Sequence, residues 1–290
     1  MVSRQIASVG FLALTILALA CAREAAANVF VADRRVQRDA DRPPYRSVGV
    51  LHHARLGAGG TAFLVSSCHI ATAYHVAFLR SRDPATDAVE LGPPQMGHAA
   101  EFLVGADPRV PRKFAARTRA RVVAFGRFRK SRFEGMAGDW AILRLDDCLG
   151  EKFGYLRWAR DSGGASMPDG ELMTLGFPRS RAARPGITVE TGCRARDHGP
   201  IDGLVGIDCA FDGGMSGGPV LELQGDGSWL VVGIVQQSMS PVPGVLPGYT
   251  MEHRNQMVSV SVFRKALDDA FRDDARRLLA RPARRHPPTR

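Results

Sequence analysis

The sequence predicts an all-β protein that ends in one amphipathic helix. Short segments rich in β-branched and apolar residues recur along the chain, and glycine, proline or polar residues separate them. The 290 residues include 31 glycines and 18 prolines, and 45% of the residues are hydrophobic. This length and composition suffice for one two-part β domain with a large core.

Two sets of six segments have the composition of strands. Residues 81–97 carry proline, glycine and charge and should form a loop, and residues 150–170 should form an irregular linker. The first set of strands covers residues 47–52, 60–65, 68–73, 101–104, 119–125 and 140–145. The second set covers residues 172–176, 187–193, 204–209, 219–223, 229–235 and 257–262.

The last predicted element is a helix over residues 263–280. Asp274 interrupts its apolar side, while Asp269 and Arg276 fall on the opposite face. We expect the apolar stripe to pack on the second half of the domain, and the basic, proline-rich tail 281–290 to be disordered. The stripe consists of residues at helical spacing, namely Phe263, Leu267, Ala270, Phe271, Ala275, Leu278 and Leu279.

Residues 1–27 have the features of a secretory signal peptide. A positive charge near the start, a short apolar core and a run of alanines with an A-x-A site follow one another. We place the cleavage after Ala27, with Ala20 and Ala22 as alternatives. Cys21 also allows a lipoprotein hypothesis, although the aliphatic residue expected three positions earlier is an alanine. The mature protein is therefore expected to be secreted or periplasmic.

The polar stretch that follows, residues 28–46, is expected to form an extended N-terminal arm. It contains Pro43 and Pro44, which hinder regular strand pairing.

A glycine-rich turn further along the chain carries a candidate nucleophile. Residues 213–220 read GGMSGGPV, and such a backbone turns sharply and presents Ser216 instead of burying it. Apolar residues resume at Val220, so the turn leads into a strand.

The same turn fits the G-x-S-x-G elbow of α/β hydrolases, which is a rival interpretation. That elbow requires a helix after the serine, and an acid and a histidine later in the chain. Gly217, Gly218 and Pro219 disfavour a helix, and the histidines after Ser216 are His253 and one in the tail.

Two motifs upstream contain a histidine and an aspartate. Residues 67–76 read SCHIATAYHV, an apolar strand that ends near His75, and residues 138–145 read GDWAILRL, with Asp139 before another strand. With GGMSGGPV, these motifs resemble TAAH, D-I-A-L-L and GDSGGP of the trypsin-like serine proteases. Each motif alone occurs by chance, but three in the family's order are a specific signal.

The resemblance implies an all-β fold of two six-stranded antiparallel β-barrels, chymotrypsin-like, with a C-terminal helix. The barrels would cover about residues 47–149 and 171–262 within a peptidase domain of residues 47–280. The polar lead-in before the first strand is similar to that of secreted bacterial enzymes related to glutamyl endopeptidases.

The resemblance also implies a catalytic mechanism. His75 would be the general base, Asp139 would orient it, and Ser216 would attack the scissile carbonyl. The backbone N–H groups of Gly214 and Ser216 would form the oxyanion hole. Because all three triad positions are intact, the sequence favours an active serine endopeptidase over an inactive binding module of the same fold.

A second serine has a similar context. Asp161 to Gly164 read DSGG, as in the family motif, but only 23 positions separate Asp139 from Ser162 and no strand follows. We therefore interpret Ser162 as a loop serine.

The family resemblance also places a specificity pocket at Ala210, Val235 and Ser238. The acid of trypsin is absent at Ala210, although Asp208 and Asp212 lie close in sequence. The pocket histidine of the glutamyl endopeptidases corresponds to Val235, and Gln236 replaces a serine that commonly supports the triad acid. We expect a neutral pocket that prefers an uncharged side chain.

Activation is expected to require no cleavage beyond removal of the signal peptide. Trypsin has an aspartate before its nucleophile, which binds the ammonium group made by zymogen cleavage, but Met215 cannot accept such a bond. Two alternatives stay open: part of residues 28–46 could be a short propeptide, or the mature amino group could take part in the site.

The cysteines fit an oxidising compartment. Removal of the signal peptide leaves four, with three possible pairings. If His75 ends one strand and Asp139 begins its antiparallel neighbour, the segment back to Cys68 and the segment on to Cys148 lead away from the site in the same direction. The two cysteines can therefore meet. Cys193 and Cys209 would flank a hairpin of the second barrel.

Charge and motif content argue against nucleic-acid binding and against a metal or cofactor. The net charge is +10, but no basic helix or aromatic and basic motif accompanies it, so we expect a solvated basic surface and no nucleic-acid partner. No C-x-x-C or H-E-x-x-H motif occurs, so we expect neither a metal nor a cofactor. The expected molecule is a monomer that acts on protein or peptide substrates without stable membrane insertion.

Overall fold

The computed structural model of the protein describes residues 28–82, 89–93, 95–129, 133–159, 167–199, 201–239 and 244–280. The predicted signal peptide, Ser162 and the predicted tail lie outside these ranges. The described chain is mostly β-structure and ends in a long helix. This agrees with the class of fold that the sequence predicts.

The first half of the chain contains a closed antiparallel barrel. The elements of this half are β1 (Asn28–Phe30), β2 (Val36–Arg38), a 3₁₀ turn (Tyr45–Ser47), β3 (Val48–His53), β4 (Ala58–Leu64), β5 (His69–Thr72), α1 (Tyr74–Ala77), β6 (Leu79–Arg82), β7 (Val89–Leu91), β8 (Ala99–Ala106), β9 (Phe114–Phe125), a 3₁₀ segment (Phe133–Gly138), β10 (Ala141–Leu145) and α2 (Gly150–Phe153). Six strands close the barrel in the order β10-β5-β4-β3-β8-β9. The predicted first barrel is confirmed.

The alternation of side chains explains why these segments form barrel strands. In β9, Thr118, Ala120 and Val122 are buried in the barrel, whereas Arg117 and Arg119, which alternate with them, are exposed. β6 and β7 pair as two short antiparallel strands that extend from Leu79 into residues 81–97, where the sequence predicted a loop. Each strand has only three or four residues, which is too short for periodicity to identify it.

The second half of the chain forms an eight-stranded sheet. Its elements are β11 (Leu172–Gly176), a 3₁₀ turn (Arg179–Arg181), β12 (Ile187–Cys193), β13 (Ala195–His198), β14 (Leu204–Ile207), β15 (Pro219–Leu223), β16 (Trp229–Met239), β17 (Gly244–Leu246), β18 (Arg254–Ser259) and α3 (Val260–Ala280). The sheet order is β13-β14-β18-β16-β15-β11-β12-β2. Within the described residues its outer strands β13 and β2 do not pair, so a second closed barrel is not confirmed.

The N-terminal arm is more regular than the sequence predicts. β2 pairs antiparallel with β12 and extends the second sheet, although Pro43 and Pro44 follow it closely. β1 pairs in parallel with β17, and the backbone of Asn28 also exchanges hydrogen bonds with Phe211. The prolines lie beyond the paired residues, so they do not prevent this pairing. The arm therefore connects residues before the first barrel to the second sheet.

The C-terminal helix α3 begins at Val260, directly after β18, instead of at Phe263. Phe263, Leu267 and Ala270 are buried as expected, but Phe271 and Leu279 are exposed. No helix in the described part of the chain is long and apolar enough to cross a membrane.

Asp274, which interrupts the apolar stripe, is the residue that fixes this part of the helix. Its Oδ2 accepts hydrogen bonds from Ser66 Oγ at 2.5 Å and from the Cys68 backbone N–H at 2.8 Å. Its Oδ1 lies 3.2 Å from Nδ1 of the buried His69. The helix therefore packs on the first barrel as well, through a polar contact that a hydrophobic pattern does not reveal.

Two pairs of cysteines lie at disulfide distance. Cys68 joins Cys148 and Cys193 joins Cys209, which are the two pairs that the sequence analysis predicts. The first pair connects the start of β5 to the segment after β10. The second connects the end of β12 to the segment after β14.

Replacement of Asp274 by asparagine should lower the free energy of unfolding by about 1–3 kcal/mol, because it removes the charge from two buried hydrogen bonds and from the contact with His69. Burial opposes ionisation of Asp274, but hydrogen bonds from His69, Ser66 and Cys68 outweigh it and lower the pKa of the carboxyl. A carboxyl with a lowered pKa stabilises the fold above its unfolded pKa and loses this contribution as the pH falls through the folded pKa. The destabilisation should therefore shrink below about pH 4.

Chemical denaturation of wild type and Asp274→Asn at neutral pH and at acidic pH measures this difference. Asp269→Asn is the control, because Asp269 lies on the same helix and forms only exposed ion pairs with Lys265 and Arg272. Its effect should stay below about 0.5 kcal/mol. Equal effects of the two substitutions would contradict the assigned role of Asp274.

Candidate active site

The first barrel positions His75 against Asp139. His75 lies in α1, one turn after β5, and Asp139 lies between the 3₁₀ segment Phe133–Gly138 and β10. β5 and β10 are antiparallel neighbours in the barrel, with Ala141 opposite Thr72. The two functional groups therefore meet at the same end of the two strands, as the sequence analysis assumed.

The contact between the two residues is direct. His75 Nδ1 lies 2.8 Å from Asp139 Oδ2, and the His75 backbone N–H donates to Asp139 Oδ1 at 3.0 Å. The Asp139 side chain is 1% exposed and that of His75 is 19% exposed. A carboxylate that accepts from Nδ1–H leaves Nε2 of the neutral imidazole as the basic nitrogen. This tautomer is the one that a general base needs.

Two residues support this pair. Gln236 is fully buried and its side-chain Nε2–H donates at 2.8 Å to the Met136 carbonyl, which also accepts the Asp139 backbone N–H at 3.1 Å. Gln236 therefore stabilises the turn that presents Asp139, without contacting the carboxylate. Tyr74, beside His75, has a raised pKa because of its burial and the nearby Asp139 charge, so it stays neutral.

Ser216 lies in a turn that packs against the strand end before His75. The Ser216 carbonyl accepts the Thr61 backbone N–H at 2.9 Å. Gly217 has φ +84, and a Cβ on it would overlap the Thr72 hydroxyl and lie 2.9 Å from the Ala73 nitrogen. Only glycine fits this close approach. It brings Gly217, the residue after Ser216, against Ala73, which precedes His75 by two residues in the sequence.

The backbone before Ser216 leaves two N–H groups available. Gly214 has φ +102, and its carbonyl accepts from the Thr61 hydroxyl at 2.7 Å. The same hydroxyl accepts the Phe177 backbone N–H at 3.1 Å. Within the described residues, the N–H groups of Gly214 and Ser216 form no hydrogen bond. They remain available for an oxyanion.

Two residues of the predicted specificity pocket, Val235 and Ser238, lie on β16, and the third, Ala210, lies in the segment after β14. Ala210 and Val235 are buried, and Ser238 lies on β16 opposite Asn255 of β18. The Asn255 side chain donates to the Cys209 carbonyl at 2.6 Å and to the Asn28 carbonyl at 3.1 Å. The start of the arm is therefore a neighbour of this region.

Three buried acids lie near Ala210, Glu190 by direct contact and Asp208 and Asp212 by their place in the sequence, and each has partners. Glu190 Oε2 accepts the Ala210 N–H at 2.7 Å, and its Oε1 lies 3.4 Å from Arg34 Nε. Asp208 pairs with Arg196, and Asp212 pairs with Arg35 at 2.8 Å. Burial raises the pKa of Glu190 and, despite hydrogen bonds from Ser180 and Arg35, that of Asp212.

A cluster outside this site could in principle hold a metal. His69, Asp273 and Asp274 offer ligand atoms within 4.8 Å of one another. The Arg144 guanidinium lies 2.7 Å from Asp273 and 3.6 Å from Asp274, so it already neutralises these carboxylates. The donor set therefore does not favour a cation.

Two further features lie away from the site. A cavity of 570 Å³ lies between β16 and α3, lined by Trp158, Glu222 and Phe271 among others, and no predicted site residue lines it. His253, which the rival hydrolase interpretation needs, lies in the turn before β18, where its backbone N–H donates to Thr250 Oγ1.

Sequence reasoning missed three residues of this arrangement, namely Thr61, Glu190 and Arg35. Thr61 and Glu190 lie within ordinary strand patterns, and Arg35 is one of many arginines. Their roles depend on contacts between residues more than a hundred positions apart, except for Glu190 and Ala210. Only the motif GGMSGGPV suggested that other residues must approach closely here.

A closed six-stranded barrel joined to a second β-sheet, with a C-terminal helix, defines a chymotrypsin-like fold. The family model of the trypsin-like peptidase domain matches residues 60–234, which is more than half of the chain. The chain belongs to the trypsin-like peptidase family.

A solved structure supports the same fold. The structure of a Glu endopeptidase in complex with MPD matches with a TM-score of 0.57 and 14% sequence identity. The match covers 84% of this chain and 99% of that chain. No curated protein gives a significant match to the sequence.

Substitution Thr61→Val should weaken the nucleophile turn, because it leaves the Gly214 carbonyl and the Phe177 N–H without their shared partner. We expect a loss of about 1–3 kcal/mol in the free energy of unfolding. Thr61→Ser, which keeps the hydroxyl, is the matched control and should lose clearly less. Thermal and denaturant unfolding of both variants measure the difference, and equal losses would contradict a role for the hydroxyl.

Proposed function

We propose that this chain is an exported serine endopeptidase that cleaves peptide bonds through an acyl-enzyme. The observation that carries the proposal is the His75–Asp139 pair on the first barrel, which lies just beyond the end of β5, where the turn that bears Ser216 packs. Membership of the trypsin-like peptidase family supports a peptidase activity. The cysteine pairs and the N-terminal segment with signal-peptide features support export.

Each residue of the site has a defined chemical task. His75 Nε2 takes the proton of the Ser216 hydroxyl as the oxygen attacks the scissile carbonyl, and then gives it to the leaving amine. Asp139 holds the imidazole in the required tautomer and stabilises the imidazolium. The N–H groups of Gly214 and Ser216 bind the oxyanion of the tetrahedral intermediate. Water then hydrolyses the acyl-enzyme by the same steps.

The rival functions have less support. An α/β-hydrolase mechanism needs a helix after Ser216, whereas β15 follows it. An inactive binding module needs no intact pair of base and acid, and no free N–H groups beside the serine. We also propose that the second sheet acts as the second barrel of this architecture, with the Cys193–Cys209 pair joining β12 to the end of β14.

Ser216→Ala and His75→Ala should each lower kcat for casein hydrolysis by about a millionfold, since a triad works as a unit. Ser162→Ala and His253→Ala are the matched controls, because they change the second DSGG-type serine and the histidine of the rival mechanism. Both controls should keep the activity of the wild type. Activity that survives Ser216→Ala, or that disappears with His253→Ala instead of His75→Ala, would refute the proposal.

The structure supports a neutral specificity pocket. Asp208 and Asp212, the acids nearest to Ala210 in sequence, are engaged by Arg196 and Arg35. Glu190 is occupied by the Ala210 N–H and Arg34. None of these three carboxylates is therefore available to bind a basic substrate side chain.

A peptide library should show cleavage after uncharged residues. Mass spectrometry of the products gives the profile, and Ser216→Ala protein supplies the background. A profile dominated by Arg, Lys or Glu before the cut would contradict the neutral pocket, while leaving the catalytic assignment intact.

A further inference from the structure

The N-terminal arm places a buried cation beside the nucleophile turn. Arg35 Nη1 donates to Asp212 Oδ2 at 2.8 Å, and the two residues are 177 positions apart in the sequence. Their side chains are 3% and 0% exposed. Asp212 lies only four residues before Ser216. Because this ion pair is deeply buried, Arg35 does not belong to the solvated basic surface that the net charge suggests.

The pair is held in place from both sides. Asp33 accepts from Arg35 Nε and from Arg35 Nη2, each at 2.9 Å, and Asp212 also accepts from the Ser180 hydroxyl. Arg181 donates to the Arg35 carbonyl and to Asp33, both at 2.8 Å. The guanidinium of Arg35 is thus fixed in orientation by two carboxylates, as its planar fork allows.

Backbone hydrogen bonds also hold the segment that carries the proposed oxyanion donors. The Asp212 carbonyl accepts the Met215 N–H at 3.1 Å, and the Gly213 carbonyl accepts the Arg179 N–H at 2.7 Å. Ser180, which binds the Asp212 side chain, directly follows Arg179. The segment from Asp212 to Met215 is therefore anchored at its start by charge and along its length by backbone bonds.

Removal of the cation would leave the buried Asp212 with the Ser180 hydroxyl and the more distant charge of Arg181, but without a directly bonded counter-charge. A buried carboxylate that loses its partner is strongly destabilised, so it takes up a proton or moves toward water. Either change breaks the ion pair at the start of the turn, and the buried Met215 side chain has no polar donor that could bind Asp212 in place of Arg35. A displacement of about 1 Å at a reacting group can cost about a hundredfold in rate.

We propose that Arg35 is a positioning residue that orders the oxyanion turn through Asp212, so that the arm 28–46 is a working part of the mature enzyme. This inference rests on the proposed peptidase function. It excludes a removable propeptide that contains Arg35, and it explains how the turn is ordered although Met215 cannot bind an ammonium group.

The test compares Arg35→Gln, Arg35→Lys and the control Arg38→Gln, which removes an equal charge from an exposed position of the same arm. Two readouts are measured on the full secreted protein: kcat and KM for labelled casein, and the second-order rate of active-site labelling by a fluorophosphonate. Thermal unfolding reports folding separately.

Arg35→Gln should lower kcat and the labelling rate by about ten- to a hundredfold, with KM changed less than about threefold. Arg35→Lys should recover part of this loss, and Arg38→Gln should behave as wild type. A folded Arg35→Gln protein with wild-type kcat and labelling rate would overturn the inference. So would a loss confined to KM, or an equal loss in Arg38→Gln.

If Arg35→Gln does not fold, the double variant Arg35→Gln with Asp212→Asn keeps the test decisive, because it buries no unpaired charge. A folded double variant with lowered kcat supports the inference, and one with wild-type kcat overturns it. The wild type separates this result from the proposed function. Wild-type protein that neither labels nor cleaves would refute the peptidase proposal and the inference with it, whereas active wild type and active Arg35→Gln would refute the inference alone.

Discussion

Thr61 connects the two halves of the protein at the point where the chemistry is proposed. Its backbone N–H binds the Ser216 carbonyl and its hydroxyl binds the Gly214 carbonyl, so one residue of the first barrel holds two residues of the turn that follows β14. The absence of a side chain at Gly217 allows the turn to approach β5 closely enough for these bonds. The relative position of His75 and Ser216 depends on this contact.

Buried charge provides a second set of constraints. Asp139, Asp212 and Asp274 are each nearly inaccessible to water, and each has a different set of donors: His75, Arg35 with Ser180, and Ser66 with Cys68. Burial of a carboxylate is costly unless such partners are present. The three acids therefore contact, in turn, His75, the arm that carries Arg35, and the barrel segment that supports the C-terminal helix. Arg35 shows that the positive charges of this basic chain do not all lie at the surface.

The sequence was informative where a function requires particular residues close together in the chain. The motifs around His75, Asp139 and Ser216, the strands of the first barrel and the two cysteine pairs could be derived in this way. Distant contacts that no motif or cysteine marks could not. Asp274 looked like a defect in an apolar stripe, because a polar residue that binds a distant backbone N–H has no periodic signal.

The arm and the second sheet show the same limit. Pairing of β2 with β12 adds a strand to the second sheet that composition does not indicate. Arg35 could not be distinguished from the other arginines until its partner Asp212 was located. Resemblance to a family supplies the shared residues, whereas contacts of this kind belong to the individual chain.

The proposed mechanism requires that Ser216, and no other serine, is the activated nucleophile. The most direct measurement is peptide mapping by mass spectrometry after reaction of the folded protein with a fluorophosphonate, with His75→Ala protein treated in parallel. The mechanism predicts one adduct, on Ser216, that is lost in His75→Ala. An adduct on Ser162, or one on Ser216 that forms equally fast without His75, would contradict it.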